Sequence, residues 1–563
     1  MMRSADRGLI ALALAVGLAI RMWQLGDQVL VDDEWHALHK LTQAGSSYAS
    51  IITDFGATDH SIPLTLLYRG IADTIGLSEL RMRLPSLLAG LLILVAVPAV
   101  VARPFGPGVA VATTWLLALS PLHIFFSRLA RPYALLVLCG GAGLGYCFLW
   151  WRTGSRRCRD AFVACAVFGM WAHLSCAPFF AAAALYGLAS KAVRATVVRV
   201  PTASLVRTFL FIAIVEVALL LPAAASGVAI GDKLGSNVVA PATLWGAAQL
   251  WTGTSNGVLV AAMLSLAVAG AALRAGGAAS RPGGTTSQGR GVAWRAPAAT
   301  SARFFAACVV AQAIAIALFR PSAVDFPIVF ARYCGVALVP LLVLVAVGLE
   351  RCSAALRARV PRVPPYAATI VALALLVALG PLRRIYYYPN NFTNHAAFEA
   401  DYRAGGYFER FRPLTIPAFY DDLRRHRRGS LRIVEAPWHF FWHSYPYYQR
   451  IHRQQVFIGG IDRAVAGVRS GELPLDRRFA GFQRIVNVGD YPALARRNID
   501  YVIFHKAVEY EMRIPFPHDE TASAVSAWIT EYAHLFGTPV YDDETITVFD
   551  VRDLQRRMAS PTL

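Results

Sequence analysis

Three consecutive acidic residues, Asp32, Asp33 and Glu34, follow directly on an apolar stretch in the run LVDDEWHALHK (30–40). A carboxylate held at such a place could accept a proton from a hydroxyl group and act as a general base. Acidic residues beside a membrane span are, however, more often solvated loop residues than catalytic groups. The composition alone leaves both interpretations open, so the elements around the triplet have to decide between them.

A second set of residues has the chemistry to hold an anion. Four arginines stand at the ends of apolar stretches, and two of them are followed closely by a tyrosine. Arginine can grip a phosphate with two parallel N–H bonds, and a tyrosine hydroxyl can donate a third. This spacing predicts an anion site at the depth of lipid headgroups. The residues are Arg83, Arg128, Arg131, Tyr133, Arg332 and Tyr333.

The composition indicates a membrane protein. Of the 563 residues, 56% are hydrophobic and only 16% are charged, and the mean hydropathy is +0.46. The formal net charge is +19, with basic residues concentrated in short loops such as 151–160, 274–303 and 351–365. Nucleic-acid binding is disfavoured, because these arginines alternate with apolar stretches and do not form one face.

Hydropathy predicts about eleven spans, each approaching the ~20 residues that cross a bilayer. If the N-terminus lies inside, every arginine-rich short loop falls on the cytoplasmic side, as the positive-inside rule requires. The first stretch is interpreted as a retained helix, since no small-x-small cleavage site follows it. The spans lie near 8–24, 82–102, 107–126, 133–151, 161–175, 177–192, 206–224, 257–273, 304–320, 333–350 and 366–382.

Besides the shorter loop 225–256, whose tryptophans suit the headgroup level, two long segments fall outside the membrane in this topology. The first, 26–80, carries the acidic triplet and two stretches with helical spacing of apolar residues, interpreted as amphipathic helices at the interface. The second, 383–563, shows alternating runs such as LRIVEA, FQRIVNV, YVIFHKA and TITVFDV, with a helical pattern in TASAVSAWITEYAHLF. We therefore predict a transmembrane domain over 1–382 and a soluble α/β domain over 383–563.

Metal chemistry has little support. The eight cysteines all fall between Cys139 and Cys352, without a CxxC or a Cys/His cluster of zinc spacing. The acidic triplet could hold a divalent ion, but hard cations require more oxygen ligands than this region supplies. The sequence therefore predicts neither a metal nor a cofactor.

Four stretches in order resemble the GT-C class of integral membrane glycosyltransferases, in the bacterial branch that includes aminoarabinose transferases and relatives of protein O-mannosyltransferases. They are the pair Asp33-Glu34, DHSIPLTLLYRG (59–70), SELRMRLPSLLAGLL (78–92) and SPLHIFFSRLARPYALL (120–136). A later stretch, ARYCGVALVP (331–340), is also similar. The resemblance implies an α-helical polytopic membrane protein of GT-C type with a C-terminal extracytoplasmic α/β domain.

The same resemblance implies transfer of a sugar from a polyprenyl-phosphate donor to a hydroxyl of an extracytoplasmic lipid, glycan or protein. In that reaction the acceptor requires a base, and the departing phosphate requires cations. Asp33 is the expected base, with Glu34 orienting a neighbour or the acceptor and Asp32 solvated. The donor phosphate and sugar are assigned to His36, His60, Arg83, Arg128, Arg131, Tyr133, Arg332 and Tyr333.

The sequence departs from the family pattern at several points. Arg128-Leu129 stands where relatives often carry Gln-Glu, and Ile62-Pro63 replaces a Pro-Pro pair. Aminoarabinose transferases place basic residues after the acidic pair, and the nearest candidates here are the two histidines, His36 and His60. The identity of the sugar is therefore left open, as is that of the acceptor.

Alternative roles remain for individual residues and for the whole chain. Arg83 and Arg131 could instead pair with Glu79 or cap helix-end carbonyls, and His173 could be a packed structural histidine. The chain could be a lipid or sugar transporter, for which Glu216 is the one clear acid within a span, although no internal repeat is visible. It could also be a non-catalytic membrane scaffold.

Overall fold

The computed structural model describes residues 3–23, 25–27, 29–30, 34–43, 45–54, 61–190, 198–225, 235, 237–272, 289–382, 415–437, 445–461, 477–506 and 519–554. The predicted site residues Asp33 and His60 lie outside these ranges, as does Asp32. The chain divides into two compact units. The helical unit comprises Met1–Met22, Ser61–Pro63 and Pro85–Arg383, and the α/β unit comprises Trp23–His60, Leu64–Leu84 and Arg384–Leu563.

The part of the chain before residue 383 is helical. Its helices are α1 (Ser4–Met22), α2 (Trp35–Thr42), α3 (Tyr48–Thr53), α4 (Ile62–Ile75), α5 (Glu79–Phe105), α6 (Pro107–Ala118), α7 (Pro121–Ser127), α8 (Tyr133–Thr153), α9 (Arg156–Ala172), α10 (Ala177–Ala189), α11 (Thr202–Ala224), α12 (Pro241–Thr252), α13 (Gly257–Ala271), α14 (Gly289–Phe319), α15 (Pro327–Tyr333), α16 (Leu338–Arg359) and α17 (Ala367–Leu379). Single 3₁₀ turns lie at Leu25–Asp27, Leu174–Cys176 and Gly335–Ala337.

Among the described residues, five helices are long and apolar enough to cross a membrane, and the number rises to seven if each bent pair counts as one span. The bent pairs are α6 with α7, at 62°, and α12 with α13, at 80°. Every predicted span overlaps one of the helices above. The prediction of a polytopic α-helical membrane protein is confirmed, whereas its count of about eleven spans stays a prediction.

Small residues allow the close helix contacts that matter for the site. A Cβ atom at Gly140 would clash with the backbone oxygen of Val336, so only glycine lets α8 approach the 3₁₀ turn that follows α15. At Gly90 on α5, a Cβ atom would clash with the Ser127 side chain at the end of α7. These approaches bring the ends of α5, α7, α8 and α15 to one region of the helical unit.

The C-terminal part forms a six-stranded sheet with flanking helices. Its elements are α18 (Phe419–Arg424), β1 (Arg432–Ala436), α19 (Tyr445–His452), β2 (Gln455–Gly460), β3 (Ile485–Asn487), α20 (Tyr491–Arg496), β4 (Tyr501–His505), α21 (Asp519–Phe536), β5 (Tyr541–Asp542) and β6 (Ile546–Asp550). The strand order is β3-β2-β1-β4-β6-β5, parallel from β3 to β4 and antiparallel at β6 and β5. Val434, Val502, Phe504, Tyr532 and Phe549 form part of its core.

The predicted α/β character of this segment is confirmed. All four predicted strands are present as β1, β3, β4 and β6, and the predicted helix is α21. The sequence analysis missed β2, whose residues QVFIGG are nearly all buried. The run ends in Gly459 and Gly460, and glycine is disfavoured in strands, so this stretch carries only a weak strand signal.

The first outside loop groups with the C-terminal segment and not with the spans. The Glu79 carboxylate, 4% exposed, accepts backbone N–H bonds from Gln483 (2.9 Å) and Arg484 (2.7 Å). The Leu77 N–H also donates to the carbonyl of Arg478 (2.5 Å). Charge-assisted bonds of this kind tie the start of α5 and the turn before it to the strand region. The predicted boundary between the domains 1–382 and 383–563 stays a prediction.

Candidate functional site

Glu34 and Arg83 form a buried ion pair within the α/β unit. Both side chains have no exposed surface. Arg83 Nε donates to Glu34 Oε1 (3.0 Å), and Arg83 Nη2 donates to Oε2 (2.9 Å) and to the carbonyl of Val29 (2.7 Å). This two-pronged geometry fixes the start of α2 against the first turns of α5. The structure thus gives Arg83 a partner, Glu34, that the sequence analysis did not consider.

Helix α2 carries the remaining described residues of the acidic motif. The Trp35 indole donates to the carbonyl of Leu30 (3.0 Å), and Lys40 pairs with Asp54 (2.6 Å). The His36 ring stacks on His39 with centroids 6.4 Å apart. Asp33 directly precedes the fixed Glu34 in the chain. Its assignment as the base stays a prediction, as does that of His60.

The helical unit brings together two of the predicted arginines and both predicted tyrosines. We call Arg131, Tyr133, His173, Arg332 and Tyr333 the arginine–tyrosine cluster. The guanidinium carbons of Arg131 and Arg332 lie 5.7 Å and 5.4 Å from the centre of the Tyr133 ring, and Arg332 lies 5.5 Å from that of Tyr333. The His173 ring lies 5.9 Å from Tyr133 and 5.5 Å from Tyr333.

Neighbouring elements hold this cluster in place. The Ser86 hydroxyl on α5 donates to the carbonyl of Arg131 (2.7 Å). The Gln312 amide on α14 donates to the carbonyls of Tyr333 (2.9 Å) and Ser175 (2.8 Å). In turn, the backbone N–H of Ser175 donates to His173 Nδ1 (3.3 Å), which orients the imidazole. The sequence analysis named neither Ser86 nor Gln312, because single polar residues within apolar helices carry no motif.

Arg128 is directed elsewhere. Its guanidinium donates to the carbonyl of Ile20 (3.3 Å) in the last turn of α1, and the residue is 2% exposed. A cation at a helix C-terminus is favoured by the partial negative charge of the last carbonyls. Its described contact is thus that of a helix cap, and its assignment to the donor phosphate stays a prediction.

The arginine–tyrosine cluster has the chemistry of an anion site. Two guanidinium groups share one aromatic ring, whose face offsets part of their mutual repulsion. In surroundings of low dielectric constant, an anion between such groups is attracted more strongly than in water. The tyrosine hydroxyls and the imidazole add hydrogen-bond donors, and Arg131 Nη2 already lies 3.5 Å from the Tyr133 hydroxyl. A phosphate group fits this set of donors.

A separate buried polar group lies in the α/β unit. His505 Nε2 on β4 lies 2.6 Å from Glu435 Oε2 on the adjacent β1, and the Tyr420 hydroxyl donates to the same carboxylate oxygen (3.0 Å). His452 stacks on Tyr420, and burial lowers the pKa of this histidine to about 3, so it is neutral. These contacts link β1, β4 and α18, and stabilise the centre of the sheet.

Among the described residues, no three or more His, Cys, Asp or Glu side chains are grouped so that they could hold a metal ion. The acidic residues Asp32 and Asp33 are not among those described. The expectation that the protein uses neither a metal nor a cofactor therefore stays a prediction.

No family model and no curated protein matches the chain. Among solved structures, ArnT from Cupriavidus metallidurans in the apo state is similar at 14% identity, covering 98% of this chain and 99% of that one, with a TM-score of 0.45. The undecaprenyl-phosphate-bound form of ArnT is similar at 15% identity, covering 96% and 98%, with a TM-score of 0.43.

The archaeal oligosaccharyltransferase AglB from Archaeoglobus fulgidus, in complex with an inhibitory peptide and a dolichol-phosphate, is similar at 14% identity. That alignment covers 89% of this chain and 69% of AglB, with a TM-score of 0.41. At such identities and TM-scores, these similarities carry no conclusion about what this chain does.

Proposed function

We propose that this protein is an inverting glycosyltransferase that moves a sugar from a polyprenyl-phosphate donor to a hydroxyl of an extracytoplasmic lipid, glycan or protein. The observation that carries the proposal is the arginine–tyrosine cluster, where Arg131 and Arg332 flank the ring of Tyr133 within a membrane-spanning unit. A phosphate on a lipid tail is the anion that such a place would meet. The undecaprenyl phosphate and dolichol-phosphate in the similar structures are consistent with it.

The proposed reaction assigns one task to each group. The acceptor hydroxyl attacks the anomeric carbon of the sugar, and Asp33 accepts its proton. The bond from that carbon to the phosphate oxygen breaks, and the lipid phosphate leaves with the bonding electrons. Because this phosphate is a weak base, it requires cations and hydrogen-bond donors, but no acid to protonate it. A single displacement inverts the configuration of the sugar.

The proposed setting is a bacterial inner membrane. The arginine-rich short loops then lie in the cytoplasm together with the N-terminus, and the C-terminal α/β unit lies in the periplasm. Membrane lipids and the polyprenyl-phosphate donor are the expected partners.

Binding of undecaprenyl phosphate tests the phosphate site directly. The purified protein in detergent should be stabilised against heat by undecaprenyl phosphate but not by undecaprenol, which has the same tail without the anion. A ligand at about 100 times its Kd would add roughly 2.7 kcal/mol to the stability of the folded protein. Equal stabilisation by both lipids would show that the tail alone is recognised, and would contradict the proposal.

Replacing Asp33 with asparagine separates the enzyme from the alternative functions. We expect transfer to fall by on the order of 100-fold, because the amide cannot accept the proton, while undecaprenyl phosphate still stabilises the protein. The neighbouring Asp32→Asn variant is the matched control and should transfer normally. If neither the wild type nor the Asp33→Asn variant transfers sugar but both transport a lipid or a sugar, the transporter is favoured. The buried acid Glu216 on α11 is the observation that supports this alternative.

A further inference from the structure

Arg21, in the last turn of α1, is a fully enclosed arginine within the helical unit. Five of its acceptors are neutral atoms: Nη1 donates to the carbonyls of Gly17 (3.0 Å) and Ala118 (3.1 Å), Nη2 to the carbonyl of Leu117 (3.2 Å) and to His123 Nδ1 (2.7 Å), and Nε to the Ser127 hydroxyl (3.3 Å). A charged group in an apolar bundle is tolerated only with its donors engaged in this way.

These contacts lie at the break between α6 and α7, which meet at 62°. The last carbonyls of a helix have no N–H partner within that helix. At the end of α6, the Arg21 guanidinium donates hydrogen bonds to the carbonyls of Leu117 and Ala118. The other end of the break is closed by Ser120, which caps α7, with Pro121 as its first residue. Arg21 therefore fixes how α7 leaves α6.

Three further contacts hold the rest of α7 in the direction that Arg21 fixes at its start. His123 accepts from Arg21 through Nδ1, which places the imidazole proton on Nε2. The Ser127 hydroxyl donates to the carbonyl of His123 (2.6 Å) while accepting from Arg21. Arg128 then returns the contact to α1 by donating to Ile20. Arg21 of α1 thus caps the end of α6, and Arg128 at the end of α7 caps the end of α1.

The end of α7 leads directly into the arginine–tyrosine cluster. Arg131 follows Ser127 by four residues, and Tyr133 begins α8. The Ser86 hydroxyl on α5 donates to the carbonyl of Arg131 from the other side. On the α5 side, Gly90 already lies against Ser127, so α7 has no room to move towards that helix.

We propose that Arg21 is a positioning residue for the phosphate site, acting through α7 and without contact to the lipid phosphate. This inference rests on the proposed function. Loss of the guanidinium would let α7 turn relative to α6 and displace Arg131 from the position that faces the anion. A misplacement of this kind affects ligand binding more than it affects the stability of the folded chain.

The test compares two variants that each remove side-chain contacts of α1, one at each end of the helix, by melting temperature and by Kd for undecaprenyl phosphate. Arg21→Lys keeps the charge but loses the N–H donors that point to several acceptors at once. We expect it to bind undecaprenyl phosphate about ten- to hundred-fold more weakly. The matched control is Tyr366→Phe, which removes the bond from the Tyr366 hydroxyl to buried Asp6 (2.7 Å) at the opposite end of α1. It should destabilise the protein by a similar amount and leave the Kd within about two-fold of that of the wild type.

Wild-type affinity in Arg21→Lys, or an equal loss in both variants, would overturn the inference. If Arg21→Lys does not fold, Ser127→Ala decides the question, because it removes only one acceptor of Arg21 and should still weaken binding several-fold. The proposed function has a separate test in Arg131→Met and Arg332→Met. If these variants bind undecaprenyl phosphate with an unchanged Kd, the proposed function is contradicted. Weaker binding in those variants with normal binding in Arg21→Lys and Ser127→Ala would contradict this inference alone.

Discussion

Arg332→Met is expected to lower sugar transfer from an undecaprenyl-phosphate donor by about 10²–10³-fold, which is the usual cost of removing one preorganised donor from a developing anion. Arg332 lies over the rings of both Tyr133 and Tyr333, so its guanidinium contacts two members of the arginine–tyrosine cluster. Methionine keeps much of the apolar stem and removes the charge. Arg131→Met should act in the same direction.

The expected kinetic signature is a loss in kcat larger than the rise in KM. The phosphate oxygen gains negative charge as the sugar leaves, so the arginine interacts more strongly with the transition state than with the bound donor. Single-turnover transfer with a saturating donor measures this difference. A change in KM with an unchanged kcat would show that Arg332 only binds the donor.

Arg152→Met is the matched control for these variants. Arg152 lies 6.0 Å from the Phe148 ring near the other end of α8, the same helix that begins with Tyr133. Its removal eliminates a cation–π contact of similar geometry, worth about 0.5–1 kcal/mol at a partly exposed position. Transfer should remain close to that of the wild type. A loss as large as in Arg332→Met would show that any arginine on these helices matters for folding, and would remove the support for the cluster.

Breaking the Glu34–Arg83 pair is expected to cost about 3–5 kcal/mol of stability, because each single variant leaves one buried charge without its partner. Glu34→Gln and Arg83→Met should therefore both unfold at markedly lower denaturant concentration or temperature. Replacing both residues with apolar ones, Glu34→Leu with Arg83→Met, should recover much of the loss, since no unpaired charge remains. Denaturation of the full chain in detergent measures all three.

The double variant also shows whether Glu34 has a direct role in catalysis. If Glu34 only positions the segment around Asp33, transfer should return when the double variant folds. A folded but inactive double variant would mean that the Glu34 carboxylate or the Arg83 guanidinium contacts the substrate. Lys506→Met is the control for losing an ion pair at the surface of the same unit, since Lys506 and Asp542 are 30% and 55% exposed. That pair should contribute at most about 1 kcal/mol.

Local patterns were sufficient to predict the elements. Every stretch that hydropathy predicts as a span overlaps a helix, and alternation predicted four of the six strands in the described part of the chain. Both signals depend on neighbours within one element, so they can be read along the chain. Strand β2 was missed because QVFIGG ends in two glycines, which are disfavoured in strands and weaken its local signal. The arrangement of His173 beside both tyrosines left no local trace, and a packed histidine explained that residue equally well.

The sequence by itself determined which segments are apolar enough to enter a membrane, most of the strands, and which side chains have the chemistry for a phosphate and a proton. Only the tertiary structure decided how those side chains are shared. It paired Glu34 with Arg83, turned Arg128 onto α1, and brought Arg131 and Arg332 to the ring of Tyr133. The physical reason is that these contacts join residues far apart in the chain, so they depend on which helices approach closely, and approaches such as that of α8 at Gly140 appear only after packing.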